Sequence, residues 1–156
     1  MSNKRIDKDT YYLNIAYAVS KRSTCLKRHY GCVIVNHDEI IATGYNGSPR
    51  GYENCCDINK CLRMDKPHNS GDYSDCHSVH AEQNAMLSAS RKDMLGATMY
   101  LSGEEYLKNY EDGSLACKWI RIRNCEPCPI CTRMLINAGI AEVKNETGSL
   151  VLRELI

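Results

Sequence analysis

Val79-His80-Ala81-Glu82, taken with Pro127-Cys128-Pro129-Ile130-Cys131 further along the chain, is the stretch on which the other assignments depend. His80, Cys128 and Cys131 supply one imidazole and two thiolates, a set that suits a borderline-soft zinc ion and leaves the fourth tetrahedral position to water. An open site of that kind is catalytic, not structural. Glu82 has no place among the ligands, yet it lies two residues from the histidine, close enough to take a proton from the water. Either half alone is weak: His-x-Glu occurs by chance, and a lone Cys-x-x-Cys could be redox-active or half of a structural zinc site. Together, in this order, with Pro127 before the first cysteine and both halves opening apolar-periodic segments, they specify a catalytic centre. Cys125 and Cys128 form a competing Cys-x-x-Cys pair. Cys128 with Cys131 is preferred because Pro127 suits the start of a helix and residues three apart share a helix face.

Working outward, Val79, Glu82, Ala85, Met86 and Ala89 mark a helix with His80 in its first turn, and Cys128 to Ala138 marks another that Gly139 stops. Nearer the N-terminus, Asp9 or Thr10 caps a helix whose face is Tyr12, Ile15, Ala16 and Val19, ending near Arg22. Cys32–Val35 and Ile40–Thr43 read as a hairpin of β-branched strands across Asn36-His37-Asp38-Glu39. Ala97–Leu101, Ile140–Val143 and Leu150–Leu155 are further strands. Ser102–Asn124 is a polar insertion with a short strand at Trp119–Ile122; Trp119 reads as a packing residue, and His29 and His37 as surface histidines. Alternating strands and helices imply an α/β fold, a mixed sheet with helices on both faces. The two zinc-bearing helices lie side by side with their positive N-terminal ends on the metal.

With 156 residues, 43% hydrophobic and 25% charged, the chain makes a single domain over residues 1–156. A net charge of +1 gives no large field for long nucleic acid. No span of 18 apolar residues and no apolar leader at Met1-Ser2-Asn3-Lys4-Arg5-Ile6 points away from a membrane and to the cytoplasm. In that reducing compartment ten cysteines are thiols or metal ligands, which hints at more than one zinc. From Gly44 to Cys76, glycines and prolines break every pattern, and this long loop carries Cys55, Cys56, Cys61, His68 and Cys76, followed by His77. A metal staple would keep it ordered, and Cys25, just past the first helix, could complete the ligand set.

These residues resemble the cytidine and deoxycytidylate deaminase superfamily, and within it the deoxycytidylate (dCMP) deaminases. The resemblance rests on Lys21-Arg22-Ser23-Thr24-Cys25, Gly44-Tyr45-Asn46-Gly47-Ser48-Pro49, His80-Ala81-Glu82-Gln83-Asn84-Ala85, Pro127-Cys128-Pro129-Ile130-Cys131 and Leu135-Ile136-Asn137-Ala138-Gly139-Ile140. The zinc motif identifies the superfamily; the Arg-Ser-Thr and Gly-Tyr-Asn-Gly segments point to the dCMP branch. The resemblance implies a three-layer α/β/α sandwich and zinc-dependent hydrolysis of dCMP to dUMP and ammonia, with zinc-activated water attacking C4 of cytosine and Glu82 carrying protons to N3 and the departing amine. It also implies that Asn46 and Ala81 contact the substrate and that Arg22 sits near the phosphate, with Lys27 and Arg50 as further cationic candidates. Relatives are commonly homo-oligomers, many of them hexamers that dCTP activates and dTTP inhibits. Several hold a structural second zinc with cysteines from the region of Cys25, Cys55 or Cys56, Cys61 and Cys76. The Ser102–Asn124 insertion and the short tail after Val143 depart from the family pattern. The rival enzyme is a deaminase of another base or nucleoside, such as cytidine or adenosine in transfer RNA; the rival from another class is a non-catalytic zinc-ordered binding module, which has no use for the nonligating Glu82.

Overall fold

A computed structural model of the protein describes residues 4–68, 70, 71, 74–111 and 114–152. Helix α1, Lys8–Ser20, starts earlier than expected: Asp7, not Asp9 or Thr10, is the N-cap, its carboxylate accepting from the Thr10 N–H at 2.8 Å. Asp9 instead accepts from the Tyr100 hydroxyl at 2.7 Å. The buried face of α1 is Tyr12, Leu13, Ala16 and Ser20. Strands β1, Arg28–Asn36, and β2, Glu39–Tyr45, form the expected hairpin. Its turn is two residues, His37 and Asp38, with φ of 51° and 60°, the mirror-image turn that matches strand twist.

The Gly/Pro-broken loop contains a single helical turn, α2, Cys55–Ile58. Helix α3, Ala81–Leu87, and the short α4, Arg91–Met94, lead into β3, Thr98–Glu111. The polar insertion is corrected here: β3 runs on past Leu101 and returns as β4, Ser114–Ile122, in one long antiparallel hairpin. Its charged residues suggested exposure, but Ser102 and Glu104 at its root are buried, because partners from distant segments satisfy them. Glu104 accepts from the Tyr17 hydroxyl at 2.9 Å, from His29 Nδ1 at 2.8 Å and from the Lys21 ammonium. His29 is therefore no surface residue; its ring also stacks on Trp119 with centroids 3.6 Å apart. Helix α5, Pro129–Ala138, ends at Gly139 in the left-handed region, φ 89°. Strands β5, Glu142–Asn145, and β6, Gly148–Val151, follow; residues 153–155 of the expected last strand lie outside the described ones.

The sheet order is β2-β1-β3-β5-β6, with β4 on the outer half of β3. The β3–β5 pair is parallel and the others antiparallel, so the sheet is mixed. Period-two alternation sends Val33, Val35 and Tyr100 to α1 on one face. Cys32, Ile34, Met99 and Leu101 face the other way, into a core with Ala81 and Ala85 of α3 and Leu135 of α5. The result is a three-layer α/β/α sandwich. Two glycines set how closely the layers approach. A Cβ on Gly31 would lie 2.3 Å from Ala16 O and Ser20 N of α1, and one on Gly44 would lie 2.2 Å from Ala81 O and 2.5 Å from Ala85 N of α3. Gly44 thereby seats the start of α3 directly on the sheet. No helix among the described residues is long and apolar enough to cross a membrane.

Candidate active site

Two helix starts build the site. His80 is the N-cap of α3, its backbone N–H donating to Gln83 Oε1 at 2.9 Å. Cys128 is the N-cap of α5, its sulfur accepting from the Cys131 N–H at 3.4 Å. The proline that serves the helix start is Pro129, inside the first turn, in place of the expected Pro127. An N-cap side chain already turns back toward the first free N–H groups of its helix, so both ligand side chains point into the space before the two helices.

His80 Nδ1 lies 3.4 Å from Cys131 Sγ and 3.7 Å from Cys128 Sγ, and all three donor atoms fall within 4.8 Å of one another. Zn–N and Zn–S bonds of ~2.05 and ~2.3 Å at tetrahedral angles put N and S about 3.5 Å apart. The donor set therefore fits a zinc ion in identity and in spacing. Burial holds the His80 imidazole below its ordinary value, so the ring is neutral and able to ligate. Burial pushes the Cys131 thiol up, with the Glu82 carboxylate adding to it; a cation among these groups reverses that balance and favours thiolate. Cys125 does not join them: it is buried, and its thiol donates to Ile122 O at 3.4 Å.

Glu82 is 5% exposed, and burial raises its carboxyl to about 7. A carboxyl that exchanges its proton near neutral pH is matched to general acid-base work. Asn46 and Ala81 line the same cleft. The Asn46 side chain is tied to β1, accepting from the Tyr30 N–H at 2.8 Å and donating to Arg28 O at 3.0 Å, which leaves one lone pair and one N–H uncommitted. Arg22 and Arg50 are exposed and outside the lining, while Lys27 is within it. Arg28, Tyr30 and Arg63 also line the cleft, and the sequence reading missed all three; His68, named there as a candidate metal ligand of the loop, lines it too. Arg28 and Tyr30 carried a signal: two apart on a strand, they share the face that carries Cys32.

Cys25, Cys61 and Cys76 line the cleft as well. Cys25 Sγ accepts from the Lys27 and Arg28 N–H groups at 3.4 and 3.5 Å. The Cys55 thiol is pushed up by burial and by neighbouring Cys25, Cys61 and Cys76. Cys56 and His77 are exposed. Among the described residues, these cysteines do not form a second group of three donor atoms within 4.8 Å.

The family description "Cytidine and deoxycytidylate deaminase zinc-binding region" matches residues 6–147. The deoxycytidylate deaminase of Schizosaccharomyces pombe is 45% identical over 143 residues, 90% of this chain, although the chain spans only 37% of that protein's length. The deoxycytidylate deaminase of Mycobacterium phage D29 is 34% identical over 143 residues, covering 89% of this chain and 94% of the phage protein. A crystal structure of dCMP deaminase from the cyanophage S-TIM5 shares the fold, with a TM-score of 0.56 and 23% identity over 90% of this chain and 82% of that one. With its His80, Cys128 and Cys131 donors spaced for zinc and residues 6–147 matched by that family description, the chain belongs to the cytidine and deoxycytidylate deaminase family.

Proposed function

We propose that the protein hydrolyses dCMP to dUMP and ammonia. The observation that carries this is a buried, nonligating Glu82 one helical step from a His/Cys/Cys donor set of zinc dimensions, in a chain whose relatives above are named deoxycytidylate deaminases. His80, Cys128 and Cys131 would hold the metal. Zinc bound there supplies a Lewis acid that makes water nucleophilic near neutral pH. Glu82 moves the protons: it takes one as water adds at C4 of the cytosine and gives it to ring N3, then takes the second from the new C4 hydroxyl and gives it to the amine, which departs as ammonia. Ala81, first residue of α3, offers a backbone N–H that has no acceptor within its helix. Asn46 holds the loop after β2 against β1 and so forms one wall.

A second, structural zinc is part of this proposal, held by Cys25, Cys55, Cys61 and Cys76. Support comes from the presence of Cys25, Cys61 and Cys76 in one cleft lining and from the two backbone N–H groups that already face Cys25 Sγ. Self-association is supported by apolar side chains left in solvent on the zinc-bearing helices, Leu87 at 73%, Ile130 at 57% and Met134 at 40% exposure. Ammonia release from dCMP, CMP, deoxycytidine, cytidine and adenosine tests the activity. The expected result is dCMP as best substrate, with Glu82→Ala retaining zinc but slower by ~10²- to 10⁴-fold or more. Turnover of Glu82→Ala within tenfold of wild type would reject its role.

A further inference from the structure

The long hairpin reaches the cleft without entering it. Glu105 of β3 sits opposite Arg28 of β1 in the strand register, and its Oε1 accepts from Arg28 Nη2 at 2.8 Å. Arg28 Nη1 in turn donates to the Tyr30 hydroxyl at 2.8 Å. Among the described residues Arg28 Nε is buried without a partner, so there these two bonds fix the guanidinium. Across the hairpin Glu105 pairs with Ile120 of β4, which fixes the backbone that carries the carboxylate.

A guanidinium has donors only, so the bond from Arg28 uses a lone pair of the Tyr30 oxygen and leaves its hydrogen unspent. Among the described residues no group accepts that hydrogen. Burial keeps the phenol protonated, with its pKa raised to about 12, and the ring lines the same cleft as Glu82 and Asn46. Lys27 lines the cleft too, and its ammonium is held by the carbonyl oxygens of Arg63 and Lys66 and by no carboxylate among the described residues. A cleft that holds an oriented O–H donor and an uncompensated positive charge is matched to an anionic oxygen.

We propose that Tyr30, oriented by Arg28 and Glu105, donates its hydroxyl hydrogen to the phosphate of the substrate nucleotide and thereby helps the enzyme select nucleotide over nucleoside. Tyr30 is then a specificity-determining residue, and Arg28 and Glu105 are positioning residues, the latter supplied by the hairpin that departs from the family pattern. The assignment rests on the nucleotide reading given above.

Calorimetric titration of the zinc-loaded protein with dUMP and with deoxyuridine tests it. Tyr30→Phe removes only the hydroxyl and should weaken dUMP by ~10- to 150-fold, the worth of one hydrogen bond to a charged group, while leaving deoxyuridine within about twofold. Glu105→Gln, outside the cleft, should raise KM for dCMP more than it lowers kcat. Unchanged dUMP affinity in Tyr30→Phe, or an equal loss for both ligands, overturns the assignment. Failure of the deaminase reading would show separately, as wild-type protein that releases no ammonia from dCMP, whatever Tyr30→Phe does to dUMP binding.

Discussion

Replacing Glu104 by glutamine asks whether a buried charge, beyond strand pairing, holds the hairpin root against α1. The carboxylate is 2% exposed and accepts from Tyr17, His29 and Lys21. Burial alone would raise its pKa, but the hydrogen bonds from Lys21, His29 and Tyr17 outweigh it and hold the group below the usual 4.5. Glutamine keeps the volume, loses the charge and turns an NH₂ toward one of the donors. His29 softens that clash. Its Nδ1 and Nε2 face Glu104 Oε1 and Cys25 O, each at 2.8 Å, and a neutral ring donating through Nε2 can accept from the amide through Nδ1. Lys21, 50% exposed, returns to water. The net loss is then about one charge-assisted hydrogen bond, ~1.5–3 kcal/mol, and not the ~3–5 kcal/mol of a stranded buried charge. For a domain of this size, roughly 2–4 °C per kcal/mol gives a Tm drop of roughly 3–12 °C. The sign of the pH dependence is set by the depressed pKa: the contribution is complete above the unfolded value near 4.5 and fades as pH falls through the lower folded value. The gap between wild type and Glu104→Gln should be full at pH 7 and shrink below pH 4.5. Urea denaturation at pH 7 and pH 3.5 measures both. A gap under ~0.5 kcal/mol at pH 7, the range of ordinary surface substitutions, or the same gap at both pH values, would refute the reasoning.

Other outcomes can be checked alongside. Gly44→Ala should displace α3 from the sheet, because the new Cβ would lie 2.2 Å from Ala81 O; zinc content and turnover should fall further than Tm predicts, and a fully active variant would contradict the seating of the site by Gly44. Leu135→Ala, at a fully buried position under α5, should cost ~2–5 kcal/mol in denaturant titration, and a loss below ~1 kcal/mol would mean the core closes over the gap. Stripping zinc with a chelator should lower Tm and abolish turnover, with both restored by added zinc; free metal at ~1,000 times its Kd stabilises by ~4 kcal/mol, and a Tm indifferent to chelation would exclude a tightly held ion. If the second metal exists, elemental analysis should find two zinc ions per chain, falling to one in Cys76→Ser, whereas one in both would remove it.

The site was legible where chemistry is local in sequence. His80 to Glu82 and Cys128 to Cys131 each lie within one helical turn, so spacing alone places their side chains. The β1–β2 hairpin was legible because β-branched runs flank a polar turn. Glu104 was not, since a carboxylate in a polar stretch reads as exposed, and its partners Tyr17, Lys21 and His29 stand far away in the chain. Of the hairpin only the start of β3 and the short strand at Trp119–Ile122 were read: Glu104, Glu105, Lys118 and Arg121 alternate with apolar residues only partway, and the pairing that makes them a ribbon is read across strands. The start of α1 was placed too late because Asp7 and Asp9 are equivalent caps until the tertiary partners of Asp9, Tyr100 and Lys144, are known. Arg22 was named as an anion-binding residue by likeness to relatives; the cations in the cleft lining are Lys27, Arg28 and Arg63, and of these only Lys27 was named from the sequence, because the other two are turned inward by strand and loop packing.

The register of β3 divides that strand into two jurisdictions. From Thr98 to Glu105 it pairs with β1, and any slip would exchange core faces along its length. From Leu107 outward its partners are β4 residues, starting with Lys118, and among the described residues no other strand pairs with either arm there. Removing residues in matched pairs from these outer arms would leave every core register as it is. The tip of the hairpin can thus lengthen, shorten or change composition during divergence, while its root, fixed by Glu104 and Glu105, keeps its grip on the cleft. Length variation among close homologues of this chain should accordingly concentrate between Leu107 and Lys118.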